Sequence, residues 1–223
     1  MFIAIWKLIA RDRLVLYPAM IGGFANALLM QRLLAHLKDM PLLFAYAIAL
    51  WFISVFIQLL VAALGNEAAH GKTPDFGALL WTAIRRFFPA ISVMLILVIS
   101  IALLYWVSTA HLILRALVLV PLFVAALVIQ LYPVIYVMTN SSALRSMLTL
   151  SLFIRRRTLW FAQLAFLLLL ISFSFILFSS VLTELPAAWQ SVSVPLLQGL
   201  YVVVLNYAIV ITWFIQSKVQ EVA

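Results

Sequence analysis

Apolar residues fall in six long runs, roughly 14–30, 42–64, 90–107, 116–138, 159–182 and 194–215, and the charged residues all lie outside them, in the short stretches between runs and at the two ends. In the second run, Leu42 to Leu64, only Ser54 and Gln58 are strongly polar. At about 1.5 Å of rise per residue such a run crosses a hydrocarbon layer of roughly 30 Å as one helix. Backbone amides in that layer must satisfy one another, so the pattern predicts an all-α polytopic membrane protein with six transmembrane helices in a single domain, 1–223. The first run is the shortest and contains Pro18, Gly22 and Gly23. A cleaved signal peptide over 1–27, with Ala25-Asn26-Ala27 as the cleavage site, is the competing reading there.

A second pattern has helical period. In 1–13, Phe2, Ile5, Trp6 and Ile9 share a face; in 75–88, Phe76, Leu79, Leu80, Ala83, Ile84 and Phe87 do; in 141–157, Leu144, Met147, Leu148 and Leu152 lie opposite Arg145. Each stretch precedes an odd-numbered run, so the expectation is three interfacial amphipathic helices lying in the headgroup plane. Asp75 and the triplet Asn140, Ser141 and Ser142 are suitable helix starts, because their side chains accept from unpaired first-turn amides. The recurrence suggests three related units, 1–64, 75–138 and 141–216.

Composition removes the soluble alternatives. Of 223 residues 68% are hydrophobic and 9% charged, more apolar surface than a globular domain hides from water. With no cysteine, disulfides, thiolate metal sites and cysteine nucleophiles are excluded. The net charge of +8 is unevenly placed. When loops are assigned alternately to two sides, Lys7, Arg11, Arg13, Lys72, Arg85, Arg86, Arg145, Arg155, Arg156, Arg157 and Lys218 share one side, and only Arg32, Lys38 and Arg115 lie on the other. Positive loops stay inside, which places both termini in the cytoplasm and favours a true first span. The cations sit at run ends, where anionic headgroups meet them, so membrane lipids are the expected partners and nucleic acid is not. Arg155, Arg156 and Arg157 read as a stop signal before the fifth run. Together with Arg85 and Arg86 they are also the candidates for lipid phosphate, since clustered guanidiniums fork onto phosphate oxygens.

Chemistry inside the runs is sparse. No ionisable residue lies deep in one, which disfavours a proton-driven mechanism. The polar residues are Asn26, Gln58, Gln130, Gln163 and Asn206, with a serine ladder of Ser172, Ser174, Ser179 and Ser180. Such groups ordinarily bond between helices; the sharper reading has Asn26, Gln58, Gln130 and Asn206 lining a polar cavity. Pro121 and Pro133 flank Gln130 and free backbone carbonyls beside it. His36, Asp39, His111 and Glu184 are loop residues whose spacing does not require a metal. No metal, cofactor or catalytic residue is expected, and no zinc-protease, phosphate-loop or nucleophile-elbow motif is present. Tyr105, Trp106 and Trp189 suit the outer boundary and Trp6, Trp81, Trp160 and Trp213 the inner one.

Gly65, Asn66, Gly71, Lys72 and Pro74, then Ala83, Arg85 and Arg86, with Pro133 and Ala143-Leu144-Arg145-Ser146, carry a resemblance. Over roughly 60–165 the chain resembles a broad group of bacterial inner-membrane proteins similar to the membrane domain attached to some glycerophosphodiester phosphodiesterases. The resemblance implies a polytopic helical fold in the bacterial inner membrane and no assigned activity. No phosphodiesterase catalytic domain accompanies it, so that activity does not carry over. Three function classes follow: a non-catalytic scaffold or subunit of an envelope complex that binds lipids, a protein partner or a second copy; a permease-like component for a neutral or lipidic substrate; and a headgroup-acting membrane enzyme. An amide-lined cavity would favour the second, and clustered His, Asp or Glu around metal the third.

Overall fold

The computed structural model describes residues 7, 16–35, 40–72, 75–108, 112–182, 184 and 186–222. Seven helices occupy them: α1 (Leu16–Ala35), α2 (Met40–Ala69), α3 (Phe76–Ser108), α4 (Leu112–Thr139), α5 (Ala143–Arg156), α6 (Thr158–Leu182) and α7 (Ala187–Val222). Among the described residues no strand occurs. Apart from Lys7, which is helical and exposed, the expected interfacial helix 1–13 and the loop residues His36, Asp39 and His111 lie outside them.

Four segments are long and apolar enough to cross a membrane: Ala45–Ala69, Phe76–Ser100, Thr158–Leu182 and Val192–Trp213. Val124–Thr139 and Ala143–Arg156 make a fifth if they count as one span, broken by a 114° bend. Leu16–Leu29 is a shorter apolar helix. The protein is therefore a helical, multi-pass membrane protein.

The expected separation of an interfacial helix at 75–88 from a span at 90–107 is absent. Both belong to α3, which passes through Pro89 without ending. Proline removes one amide donor, and a helix of 33 residues retains enough other bonds to continue. At about 50 Å, α3 exceeds the hydrocarbon thickness by some 20 Å, so part of it must extend beyond the apolar layer. Asp75 starts it, accepting from the amides of Gly77 at 3.0 Å and Ala78 at 3.4 Å.

α2 is the central element, packing on α1, α3, α4 and α7, whereas α6 packs chiefly on α7. The core sits at one end of the bundle. Leu59 to Gly65 of α2, Leu131 to Val137 of α4 and Leu205 to Thr212 of α7 are buried without interruption. That end also carries the α2–α3 connection, where Gly71 adopts φ 76°. There the amide of Gly71 donates to the Ala68 carbonyl and that of Lys72 to the Glu67 carbonyl, both at 3.1 Å, closing the helix as a left-handed cap.

Lipid tails give no hydrophobic drive for helices to associate, so close packing must supply the attraction. The α1–α7 crossing does so through glycines. A Cβ on Gly23 would lie 2.3 Å from the Pro195 carbonyl oxygen, and one on Gly199 would lie 2.7 Å from the Ala19 oxygen. Backbone meets backbone there, and no side chain fits.

Candidate functional site

The first candidate is the corner between α4 and α5, where the fold gathers polar groups at the arginine-rich end. α4 stops because Asn140 turns to φ 46°, a left-handed conformation that asparagine tolerates. Ser142 then caps α5 by accepting from the Arg145 amide at 3.4 Å. The hydroxyls of Thr139, Ser141 and Ser146 form a triangle with sides of 3.1, 3.0 and 2.8 Å, and Ser146 is fully buried. The Tyr132 hydroxyl donates to the Ala143 carbonyl at 3.2 Å, tying the end of α4 to the first turn of α5.

Arg86 reaches this corner from α3. Its guanidinium donates to the carbonyls of Tyr136 at 2.6 Å and Val137 at 3.1 Å, and to the side-chain oxygen of Asn140. It also lies 5.2 Å from the centroid of the Tyr136 ring. The last carbonyls of a helix lack internal partners, and a cation there answers both their hydrogen-bonding need and the helix dipole. Arg86, expected as a headgroup ligand, is thus engaged within the protein.

Two recesses flank it. One, of about 380 Å³, is lined by Asn66, Glu67, His70, Lys72, Thr82, Arg86 and Asn140 among others. The other, of about 450 Å³, is bounded by Trp81, Arg85, Pro89, Tyr136 and Ser141 together with Thr82, Arg86 and Asn140. Arg85 is exposed, as is Trp81. In the first recess Lys72 pairs with Glu67 at 3.7 Å, and the His70 Nδ1 lies 2.8 Å from the Asn66 carbonyl oxygen. Arg155 and Arg156 are exposed at the end of α5, and Arg157 ends that helix with its amide on the Phe153 carbonyl at 2.9 Å. The arginine triplet lines neither recess.

The second candidate lies between α1, α2, α6 and α7, where the tight core gives way. A recess of about 290 Å³ is lined by Asn26, Ser54, Gln58, Gln198 and Tyr201, with Leu50, Ile57, Phe175 and Val202 among its apolar walls. Asn26 donates to the Ser54 hydroxyl at 3.4 Å. The side-chain carbonyl oxygens of Asn26, Gln58 and Gln198 are buried without a hydrogen-bond partner. Tyr201 is held by the Ser172 hydroxyl at 2.9 Å, and its ring lies 4.5 Å from that of Phe175.

Two of the four amides expected to line a cavity, Asn26 and Gln58, are therefore brought together. Gln130 is half-buried on α4 and lines none of the three recesses. Asn206 is buried on α7 and donates to the Val202 carbonyl, one turn earlier, at 2.8 Å; its side-chain oxygen has no partner. Gln198 was missed, although it lies inside the sixth apolar run, four residues from its start. A polar residue just inside a run looks like boundary, and only the packing of α7 on α1 and α2 reveals that it lines the same recess as Asn26. Of the serines, Ser172 bonds across helices, whereas Ser180 bonds to the Leu177 carbonyl of its own helix at 2.8 Å.

Among the described residues no group of three or more His, Asp or Glu is placed to hold a metal ion. Comparison with protein-family models, curated proteins and solved structures finds no match to this chain.

Proposed function

We propose that this chain is an integral protein of the bacterial inner membrane that crosses six times, keeps both termini in the cytoplasm and acts without catalysis, as a lipid- and partner-binding scaffold or subunit of an envelope complex. One observation carries the reading. The protein keeps apolar helix faces outside its own fold, and Arg85, Arg155 and Arg156 are exposed. α6 exposes Phe166, Leu169, Phe173, Ile176 and Phe178, and α3 exposes Leu95, Ile96, Ile99 and Leu103. Such faces need lipid, a partner helix or a second copy. Anionic headgroups are the natural counterparts of Arg85, Arg155 and Arg156, which project at the end where Trp81 and Trp160 are also exposed.

The resemblance to the membrane domain attached to some glycerophosphodiester phosphodiesterases is consistent with this reading, and no enzymatic step is built on it. Isolation in mild detergent, followed by mass spectrometry of co-purifying proteins and lipids, tests the proposal. A stoichiometric membrane-protein partner or self-association with retained anionic lipid is the expected result. A monomer holding one tightly bound small molecule and no partner would overturn it in favour of a permease-like component, the second reading. The amide-lined recess between α1, α2, α6 and α7 is the specific observation behind that alternative.

A further inference from the structure

We propose that the recess between α1, α2, α6 and α7 binds a neutral, hydroxyl-rich group the size of one glycerol or monosaccharide unit. The site goes beyond the scaffold reading and requires no transport cycle. Asn26, Gln58 and Gln198 come from three different helices, and the carbonyl oxygen of each is buried and unpartnered. An unsatisfied buried acceptor is costly, and folded proteins keep few of them. Amides that only joined helices would bond to one another. These three instead border a common hollow, with one contact among its polar side chains, Asn26 to Ser54 at 3.4 Å.

The hollow defines what fits it. The three oxygens are themselves covered, so a ligand that brings donors meets them once the side-chain amides turn about their last torsion toward the hollow. No Asp, Glu, Lys, Arg or His lines the recess, so a cation would lie in a low-dielectric environment without a counter-charge, an expensive arrangement. Hydroxyl groups donate and accept at once, matching amides that present either the carbonyl or the amino end by turning about their last torsion. The rings of Phe175 and Tyr201, 4.5 Å apart, offer apolar surface for the C–H faces of a sugar or glycerol backbone. At about 290 Å³ the recess lies at the small end of ligand sites, which span roughly 300–1,000 Å³, so it takes one such unit and not a whole lipid. The same chemistry is supplied by a free polyol or by the headgroup of a neutral glycolipid.

The test uses the full chain purified in an amine-oxide detergent, because sugar-based detergents would occupy the site. The protein is then placed in phosphatidylcholine nanodiscs in glycerol-free buffer. Glycerol, glucose and monoglucosyl-diacylglycerol are the probes, with sodium chloride alone as the cation control. Saturable binding of one probe per chain is expected. Binding of glycerol or glucose assigns a free polyol, and binding of the glycolipid alone assigns a headgroup. A Gln58→Leu, Gln198→Leu double variant should bind about tenfold more weakly or worse, while Gln163→Leu on the exposed side of α6 leaves affinity unchanged. Without probe, the double variant should melt at or above the wild-type temperature, since leucine removes unsatisfied acceptors. Absence of binding by all three probes, undiminished binding by the double variant, saturation by sodium alone, or a markedly lower melting temperature without probe would each overturn the proposal. If the double variant does not insert, Asn26→Leu is read in the same way.

Discussion

Adjacent residues on an α-helix point about 100° apart, and Arg85 and Arg86 show what this does to a motif read as a pair. The double-basic end of the second amphipathic stretch was legible in the sequence, but the division of labour within it was not. It depends on where the end of α4 lies, some fifty residues further on. Arg86→Gln should therefore destabilise the protein by about 2 kcal/mol, the range for hydrogen bonds made by a charged group, and lower its melting temperature. Arg85→Gln should leave melting unchanged and reduce only the retention of anionic lipid seen by mass spectrometry. Equal destabilisation by the two variants would refute the distinction. Glycines separate by the same logic. Gly23→Ala forces a methyl onto the Pro195 carbonyl and should cost about 1–3 kcal/mol, measured by thermal unfolding in detergent. At Gly77 the nearest atom to a new Cβ is 3.4 Å away, an ordinary contact, so Gly77→Ala should be neutral or stabilise by up to about 1 kcal/mol.

At the scale of elements, apolar runs located the long helices well, because in lipid a helix is nearly the only way to satisfy a backbone. Faces were harder to read than runs. In α5 the pattern assigned Leu144, Met147, Leu148 and Leu152 to one apolar side, yet the residues buried against the protein are Ser146 and Leu150. Leu144, Leu148 and Leu152 point outward, 69, 64 and 48% exposed. A polar residue, Ser146, faces inward because the Thr139–Ser141–Ser146 hydroxyl triangle satisfies it. Met147 of the same stripe packs against the core, so hydrophobic periodicity alone does not separate the inward from the outward side. Where no partner covers it, an outward leucine stripe is expected to meet acyl chains, so a nitroxide at Leu148→Cys should be more accessible to oxygen than to a water-soluble nickel relaxant in liposomes. The reverse accessibility would show that α5 stands in water.

For the whole molecule, sequence reading recovered an all-helical multi-pass protein, and two of the amides now facing one recess, because hydropathy is local and polarity within an apolar run is conspicuous. It did not recover Gln198 or the corner held by Arg86, since both arise from contacts between segments far apart in the chain. Six crossings and their direction rest on the division of charge, and the absence of native cysteine allows a direct test with single introduced thiols. Lys7→Cys, Lys72→Cys and Arg155→Cys should resist a membrane-impermeant maleimide in spheroplasts and react after lysis, whereas Arg32→Cys and Glu184→Cys should react in both. Each pair of neighbours reports on the helices between them. Lys7 inside with Arg32 outside requires α1 to cross despite its short apolar stretch, and Arg32 outside with Lys72 inside requires α2 to cross. Lys72 and Arg155 on one side require α3 and α4 either both to cross or both not to, and the length and apolarity of Phe76–Ser100 select the former. Glu184 opposite Arg155 requires α6 to cross, and the length and apolarity of Val192–Trp213 extend the proposal to a crossing by α7. Labelling of Arg155→Cys from outside would place the arginine triplet on the wrong face and leave Arg85, Arg155 and Arg156 without the anionic cytoplasmic leaflet on which the scaffold reading depends.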